Sequence, residues 1–445
     1  MFTRTLIAAA VLAMVAAFAG DQAANAAPVP KGDYIVVLND SVSDPGAVAA
    51  RHAKAFGGRV GHVYRHALKG YSVTLPTSAL PALEANPLVE FVSEDGEARA
   101  AETCPLNTTS GFPTQCVPPG IDRIEADLSS AVSGDGSGSV NINVAVLDDG
   151  IDLDHPDLNV VGGIDCSGGK GFDAADYHGT FVAGIIAAKD NGFGVVGVVP
   201  GARLWAVRVL KKHGQGSWSN VLCGVDFVTS TRFDADATND IAVANMSLGG
   251  KGTDGANCGG QHAALHRAIC NSVSAGVVYV VSAGNAAADF AGESPANYDE
   301  VLTVTAMADY DGQPGSIRRP CIGSDTSDDS RAIFSNFATL PDDQAHTTAA
   351  PGVCVVSTFP VGFLSGTNYG ISSGTSFSSP HAAGTVALCI SSGACAGLTP
   401  AQIIQKMRGD AAAYSTANPS YGFFGDPNDP EPGKYFGYLI RAGGY

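Results

Sequence analysis

Between residues 33 and 95, short apolar runs alternate with stretches that are apolar on one side only. The runs at 34–38, 59–64, 71–75 and 89–92 predict strands, and 44–56 and 78–85 predict helices. The order β-α-β-β-α-β is that of a small ferredoxin-like α+β unit. From about residue 120 the rhythm changes. Largely apolar runs at 144–147, 204–209, 241–246, 277–281 and 301–305 predict buried strands, with helices at 179–188 and 263–273 between them. That alternation predicts an α/β fold with a mostly parallel central sheet and helices on both faces. Loops hold most of the Asp, Gly and Ser, notably 309–330, and the proline-rich tail at 426–432 cannot be helical.

The first twenty residues carry one basic side chain, Arg4, then a run of apolar and small residues, and lead to Ala24-Asn25-Ala26. This pattern predicts a secretory signal over 1–27, since the uncharged run is too short to span a bilayer. An exported chain is expected to oxidise its thiols. The ten cysteines all follow residue 100, and an even count suits five disulfides. Short loops favour Cys104 with Cys116, Cys258 with Cys270, and Cys389 with Cys395. The net charge of −18 leaves no basic patch for phosphates, so neither nucleic acid nor an anionic membrane is an expected partner. Lacking cysteine, the segment 30–100 has the character of a temporary part, with a permanent N-terminal domain as the alternative.

Three places carry chemistry. Val146-Leu147-Asp148-Asp149-Gly150 ends a strand on an acid, Tyr177-His178-Gly179 starts a helix of small residues with a histidine, and Gly374-Thr375-Ser376 starts an apolar helix with a serine. Each alone has an ordinary reading as turn, surface ring or cap. Together they supply the orienter, base and nucleophile of acyl transfer.

In that order, DDGID at 148–152, HGTFVAG at 178–184 and GTSFSSPHAAG at 374–384 resemble the signature blocks of the subtilisin-like serine proteases, peptidase family S8. The cysteines and the style of the N-terminal segment suggest the proteinase K-like branch. Residues 34–95 resemble the family's I9-type inhibitor propeptide, and Ser282-Ala283-Gly284-Asn285 its oxyanion segment. The resemblance implies a secreted serine endopeptidase made as a self-processing preproenzyme: signal 1–27, propeptide 30–100, catalytic domain 101–445. It implies Asp148, His178 and Ser376 as the triad and Asn285 as oxyanion donor. Ser247, Leu248 and Gly249 would line one side of the substrate cleft, and Gly214 and Gly216 the other. The main pocket, between 247–249 and the segment containing Ala283 and Gly284, carries no charge on those walls, with Asp289 and Glu293 following nearby on an undetermined loop, and implies a broad apolar or aromatic preference. Trp218 lines a subsite or simply packs. The propeptide would block the cleft until cut within 97–103, after Ala100 or Ala101.

Three departures from the family pattern stand out: Asp149 beside the catalytic acid, where it can perturb the pKa of Asp148 or His178, and Phe181 and Phe377-Ser378 in place of the usual residues. No cofactor is needed for the chemistry. Relatives bind structural Ca²⁺, and 29 Asp against 5 Glu after residue 100 suit that ion, although Asp309-x-Asp311-Gly312 and 325–329 lack the spacing that would assign ligands. His262 and His266 lack an HExxH context, which favours a solvated helix face over a zinc pair. Protein or peptide substrates, the chain's own propeptide and a monomeric state complete the expectation. The rivals are a catalytically silent, peptide-binding relative and a small-acyl esterase; the intact quartet opposes the first, and the absence of a Gly-x-Ser-x-Gly elbow opposes the second.

Overall fold

The structure, a computed structural model, describes residues 31–100, 104–105, 115–315, 320–321, 324–365 and 367–445. The signal segment therefore lies outside the described residues.

Strands Arg59–Tyr64, Gly70–Pro76, Lys31–Leu38 and Val89–Glu94 pair antiparallel in that spatial order. Successive side chains of a strand face opposite ways, and here both faces are used. Tyr34, Val36 and Leu38 pack with Val48 and Leu83 of the helices Pro45–Phe56 and Leu80–Glu84. Ile35 and Val37 turn the other way and join the core of the larger part. The first helix starts where expected because Asp44 accepts from the Ala47 N–H at 3.1 Å and Pro45 occupies its first turn. Gly57, at φ 67°, ends it.

The larger part is built on seven parallel strands. Across the sheet they run Val160–Asp165, Arg203–Arg208, Asn143–Asp148, Val243–Met246, Val278–Ser282, Leu302–Ala308 and Thr347–Val353. The apolar runs are continuous because both faces are covered. Val144 and Val146 pack on helices His178–Ala187 and Thr375–Ser391, while Ala145 and Leu147 pack on Trp218–Ser230 and Ala263–Ser274. Chain order reverses beside Asn143–Asp148, whose neighbours come from later in the chain on both sides, and in such sheets ligands bind at the strand ends there. The tail 426–432 is non-helical as expected, and beyond it Phe436, Leu439 and Ile440 are buried.

Among the described residues four disulfides form: Cys166–Cys223, Cys258–Cys270, Cys321–Cys354 and Cys389–Cys395. Two of the expected pairs are among them. The third, Cys104–Cys116, is not: Cys116 keeps a free thiol. Its N–H is held by the Gly194 carbonyl at 2.9 Å, whereas the backbone of Cys104 pairs with Ser373, at the far end of strand Tyr369–Ser373. His262 and His266 also depart from expectation, being buried instead of solvated. His262 Nε2 bonds the Lys251 carbonyl at 2.7 Å, and His266 is stacked on Tyr298 with Nε2 2.7 Å from Glu300. In the loop considered for calcium, Asp309 and Asp329 flank the buried Arg123 guanidinium, at 2.8 and 2.9 Å. Burial holds the Asp309 carboxyl up at about 7 even against that cation.

Candidate active site

Asp148 is the last residue of the central strand and is fully buried. Its carboxylate faces His178 Nδ1 at 2.8 and 2.9 Å. Burial disfavours a charged imidazole, but the charge and hydrogen bond of Asp148 outweigh it, and the His178 pKa is raised. Among the described residues Nε2 of His178 has no hydrogen-bond partner. Asp149 points elsewhere: it accepts from the Gly179 N–H at 2.8 Å, the opening turn of the histidine's own helix. Burial, then the neighbouring Asp148 charge, push its carboxyl to about 8. The two adjacent acids are thus divided, one turned toward the ring and one, its carboxyl raised by burial, under the helix. Only glycine fits at 179, where a Cβ would lie 2.1 Å from the Gly150 carbonyl.

Ser376 sits in the first turn of Thr375–Ser391, at the end that presents unbonded N–H groups. Pro380, four residues on, cannot donate to the Ser376 carbonyl. Ser247 fills that role, its hydroxyl donating to Ser376 O at 2.6 Å while contacting Ser379 Oγ at 2.9 Å and Asn245 Nδ2 at 2.9 Å. The cleft wall is thereby tied to the serine's helix. Ser376 Oγ lies 3.4 Å from the Ser247 carbonyl. Two of the departures from the family pattern meet each other: Phe181 and Phe377 pack at 4.4 Å between ring centroids, and Phe377 lies 5.4 Å from His178.

Asn285 is oriented by the residue before the serine. Its Oδ1 accepts from the Thr375 N–H at 2.8 Å and the Thr375 hydroxyl at 3.0 Å, so Nδ2 is turned to the other side. The loop carrying it is held by Asn336, which sequence reasoning missed. Asn336 Oδ1 accepts from the N–H groups of Ala286 and Ala288 at 2.9 and 3.0 Å, and its Nδ2 donates to the Ala283 carbonyl at 2.9 Å. Nothing in Phe334-Ser335-Asn336 announces this, since the partners lie some fifty residues away.

The cleft is filled by the chain itself. Strand Glu97–Ala100 runs antiparallel between Gln215–Ser217 and Leu248–Lys251, with Ala98 opposite Gly216, Arg99 opposite Gly249 and Ala100 opposite Leu248. Gly214 stands just outside this ladder, in a turn at φ 68°. Trp218 is fully buried and lies against Gly96, where a Cβ would come within 2.7 Å of the indole. A cavity of about 130 Å³ opens between Gly249 and the segment Ala283, Gly284 and Asn285. It is not free of charge, because Glu293 also lines it. Asp289 is turned away to the Thr339 hydroxyl and the Ala291 N–H.

Comparison with known proteins agrees with this architecture. The profile of the subtilase family matches residues 139–425, and that of peptidase inhibitor I9 matches 33–101. Subtilisin NAT of Bacillus subtilis subsp. natto is 34% identical over 337 residues, covering 75% of this chain and 74% of its own. The alkaline protease of Shouchella clausii is 35% identical over 318 residues, covering 71% and 68%. Among solved structures, fervidolysin from Fervidobacterium pennivorans, a keratinolytic enzyme related to subtilisin, matches with a TM-score of 0.66 at 22% identity. That match covers 93% of this chain, which spans 60% of fervidolysin, and it speaks for the fold. The chain belongs to the subtilase family of serine-type endopeptidases and carries an I9-type inhibitor domain ahead of the catalytic part.

Proposed function

We propose that this chain is a secreted, self-processing endopeptidase in which Ser376 is the nucleophile, His178 the general base, Asp148 its orienting partner and Asn285 an oxyanion donor. Ser376 Oγ attacks the peptide carbonyl as His178 takes its proton, and the imidazolium then protonates the leaving amine. Asp148 favours the tautomer with the proton on Nδ1 and stabilises the cation. The negative oxygen of the tetrahedral intermediate is met by Asn285 Nδ2 and the Ser376 N–H. Substrate lies as an added strand between Gly214–Gly216 and Ser247–Gly249. Ala283, Gly284 and Ala296 suit the broad apolar or aromatic preference expected of the main pocket. A structural Ca²⁺ remains part of the expectation, without assigned ligands. Export by the segment 1–27 and a monomeric mature enzyme complete the reading.

The observation that carries it is the strand Glu97–Ala100 in the cleft. Ala100 stands opposite Leu248, and the carbonyl of Ser247, one residue earlier on that wall, faces Ser376 Oγ at 3.4 Å. The described ladder thus ends one step short of the wall position that faces the serine, which supports the expected cut after Ala100 or Ala101. Of the expected window, residues 101–103 lie outside the described residues. N-terminal sequencing of the secreted protein should therefore read from Ala101 or Glu102. A mature terminus well outside 98–104 would contradict the register and with it the self-cleavage.

A further inference from the structure

Among the described residues, Glu293 is the single charged one in the lining of the pocket beside Asn285. Strand Glu293–Ser294 is hydrogen-bonded to the cleft wall, with Ser294 opposite Gly250 and Glu293 opposite Lys251. The same wall residue that lines the pocket, Gly249, pairs with the strand occupying the cleft. A side chain that reaches this pocket from the bound strand therefore meets a carboxylate held on a two-pair ladder. The remaining walls, Ala283, Gly284 and Ala296, add no competing charge.

Glu293 already has a cation, Lys251, on its outer side. The two partners are unequally placed: the Glu293 side chain is 19% exposed and that of Lys251 82% exposed. An ion pair with so exposed a lysine is weak and easily exchanged. A cation arriving through the pocket is more desolvated and gains a charge-assisted bond where water is scarcer. It can take over the inner face of the carboxylate while Lys251 swings into solvent.

We propose that Glu293 is a specificity-determining residue that makes this protease favour Lys or Arg immediately before the cut bond, over and above its acceptance of uncharged residues. The inference rests on the endopeptidase reading given above. Glu293 also borders a second cavity, of about 500 Å³, lined by Gly96, Trp218 and Gly250, farther along the bound strand. A basic residue bound there, earlier in the substrate, is the competing placement.

The test uses the mature enzyme and peptides that differ only in the residue before the cut bond, Lys against Met, with a second series varying the residue three positions earlier. The wild type should show kcat/KM at least about tenfold higher for Lys than for Met, a difference of one decade in transition-state binding. That ratio should collapse in Glu293→Gln and grow in Lys251→Met, where the competing cation is gone. Raising salt from about 0.05 to about 1 M should shrink the wild-type ratio, a readout that needs no variant to fold. Equal cleavage of the Lys and Met peptides by the wild type overturns the proposal, as does a lysine preference that survives in Glu293→Gln. A preference found only in the second series assigns Glu293 to the other cavity and equally overturns it. Failure of the endopeptidase reading looks different: no peptide of either series is cut, and a fluorophosphonate does not label Ser376.

Discussion

Asp148 and Asp149 are chemically identical neighbours, and the fold gives them opposite jobs. The alternation of the strand sends Asp148 to the imidazole and leaves Asp149 under the helix start, against the Gly179 N–H. Asp149→Asn should keep that bond, whereas Asp148→Asn should lower kcat by about 10⁴ through the wrong imidazole tautomer. A pH consequence follows from the raised carboxyl. Its folded pKa, about 8, lies above the ordinary value of 3.8, so between these the unfolded chain sheds a proton that the folded chain keeps. Stability must then fall as pH rises through that window. Thermal melts of the uncleavable Ser376→Ala protein with and without Asp149→Asn should diverge toward pH 8, the Asn form being the more stable, and converge near pH 4. Parallel curves would remove the buried protonated acid from the account. The oxyanion side has its own pair. Asn285→Ala should cost about 10²–10³ in kcat with little change in KM. Asn336→Ala, which strips the acceptor from two loop N–H groups, should lower kcat and destabilise by about 1–3 kcal/mol. Asn285 was legible because it sits in a recognisable Ser-Ala-Gly-Asn segment. Asn336 was not, because its role exists only once two distant loops meet.

At the scale of elements, the strands that were easiest to read are those buried on both faces. Asn143–Asp148 and Leu302–Ala308 are buried at every position, so apolar residues dominate both and only Asn143, Asp148, Thr303 and Thr305 interrupt the pattern. Val160–Asp165 escaped because it is an edge strand, half-buried and interrupted by Gly162 and Gly163. Gly163 is needed there, since a Cβ would come 2.1 Å from the Ala206 carbonyl of the next strand. Thr347–Val353 escaped because its proline and alanines hide a fully buried strand. Helix Trp218–Ser230 escaped as well, and it has a second task. Its Asp226 accepts from three successive propeptide N–H groups, of Arg65, His66 and Ala67, at 3.2, 2.7 and 2.8 Å. At its other end the propeptide's Asp95 accepts from the Ser219 N–H at 2.6 Å. Bonds to a carboxylate contribute about 1.5–3 kcal/mol each before non-additivity. Asp226→Ala should therefore weaken inhibition of the mature enzyme by added propeptide at least tenfold, read as Ki, by leaving those N–H groups unmet. An unchanged Ki would mean that the cleft strand alone carries the affinity.

On the scale of the whole molecule, the uncut chain is a protease bound to its own inhibitor. The inhibitor's sheet sits on two helices behind the cleft, its last strand crosses the cleft, and Cys104–Pro105 pairs with Ser372–Ser373 close to the serine helix. The central claim is that the constellation at Ser376 cuts this crossing. It is tested most directly by the intact mass of the secreted wild type beside Ser376→Ala, each with calcium supplied and each offered casein and a fluorophosphonate probe. The account predicts that the wild type lacks everything through Ala100 or Ala101, degrades casein and takes the probe on Ser376, while the variant keeps its inhibitor domain attached and stays inert. Both proteins folded, full length apart from the signal, and unlabelled would contradict it, and would leave a cleft that binds peptides without cutting them.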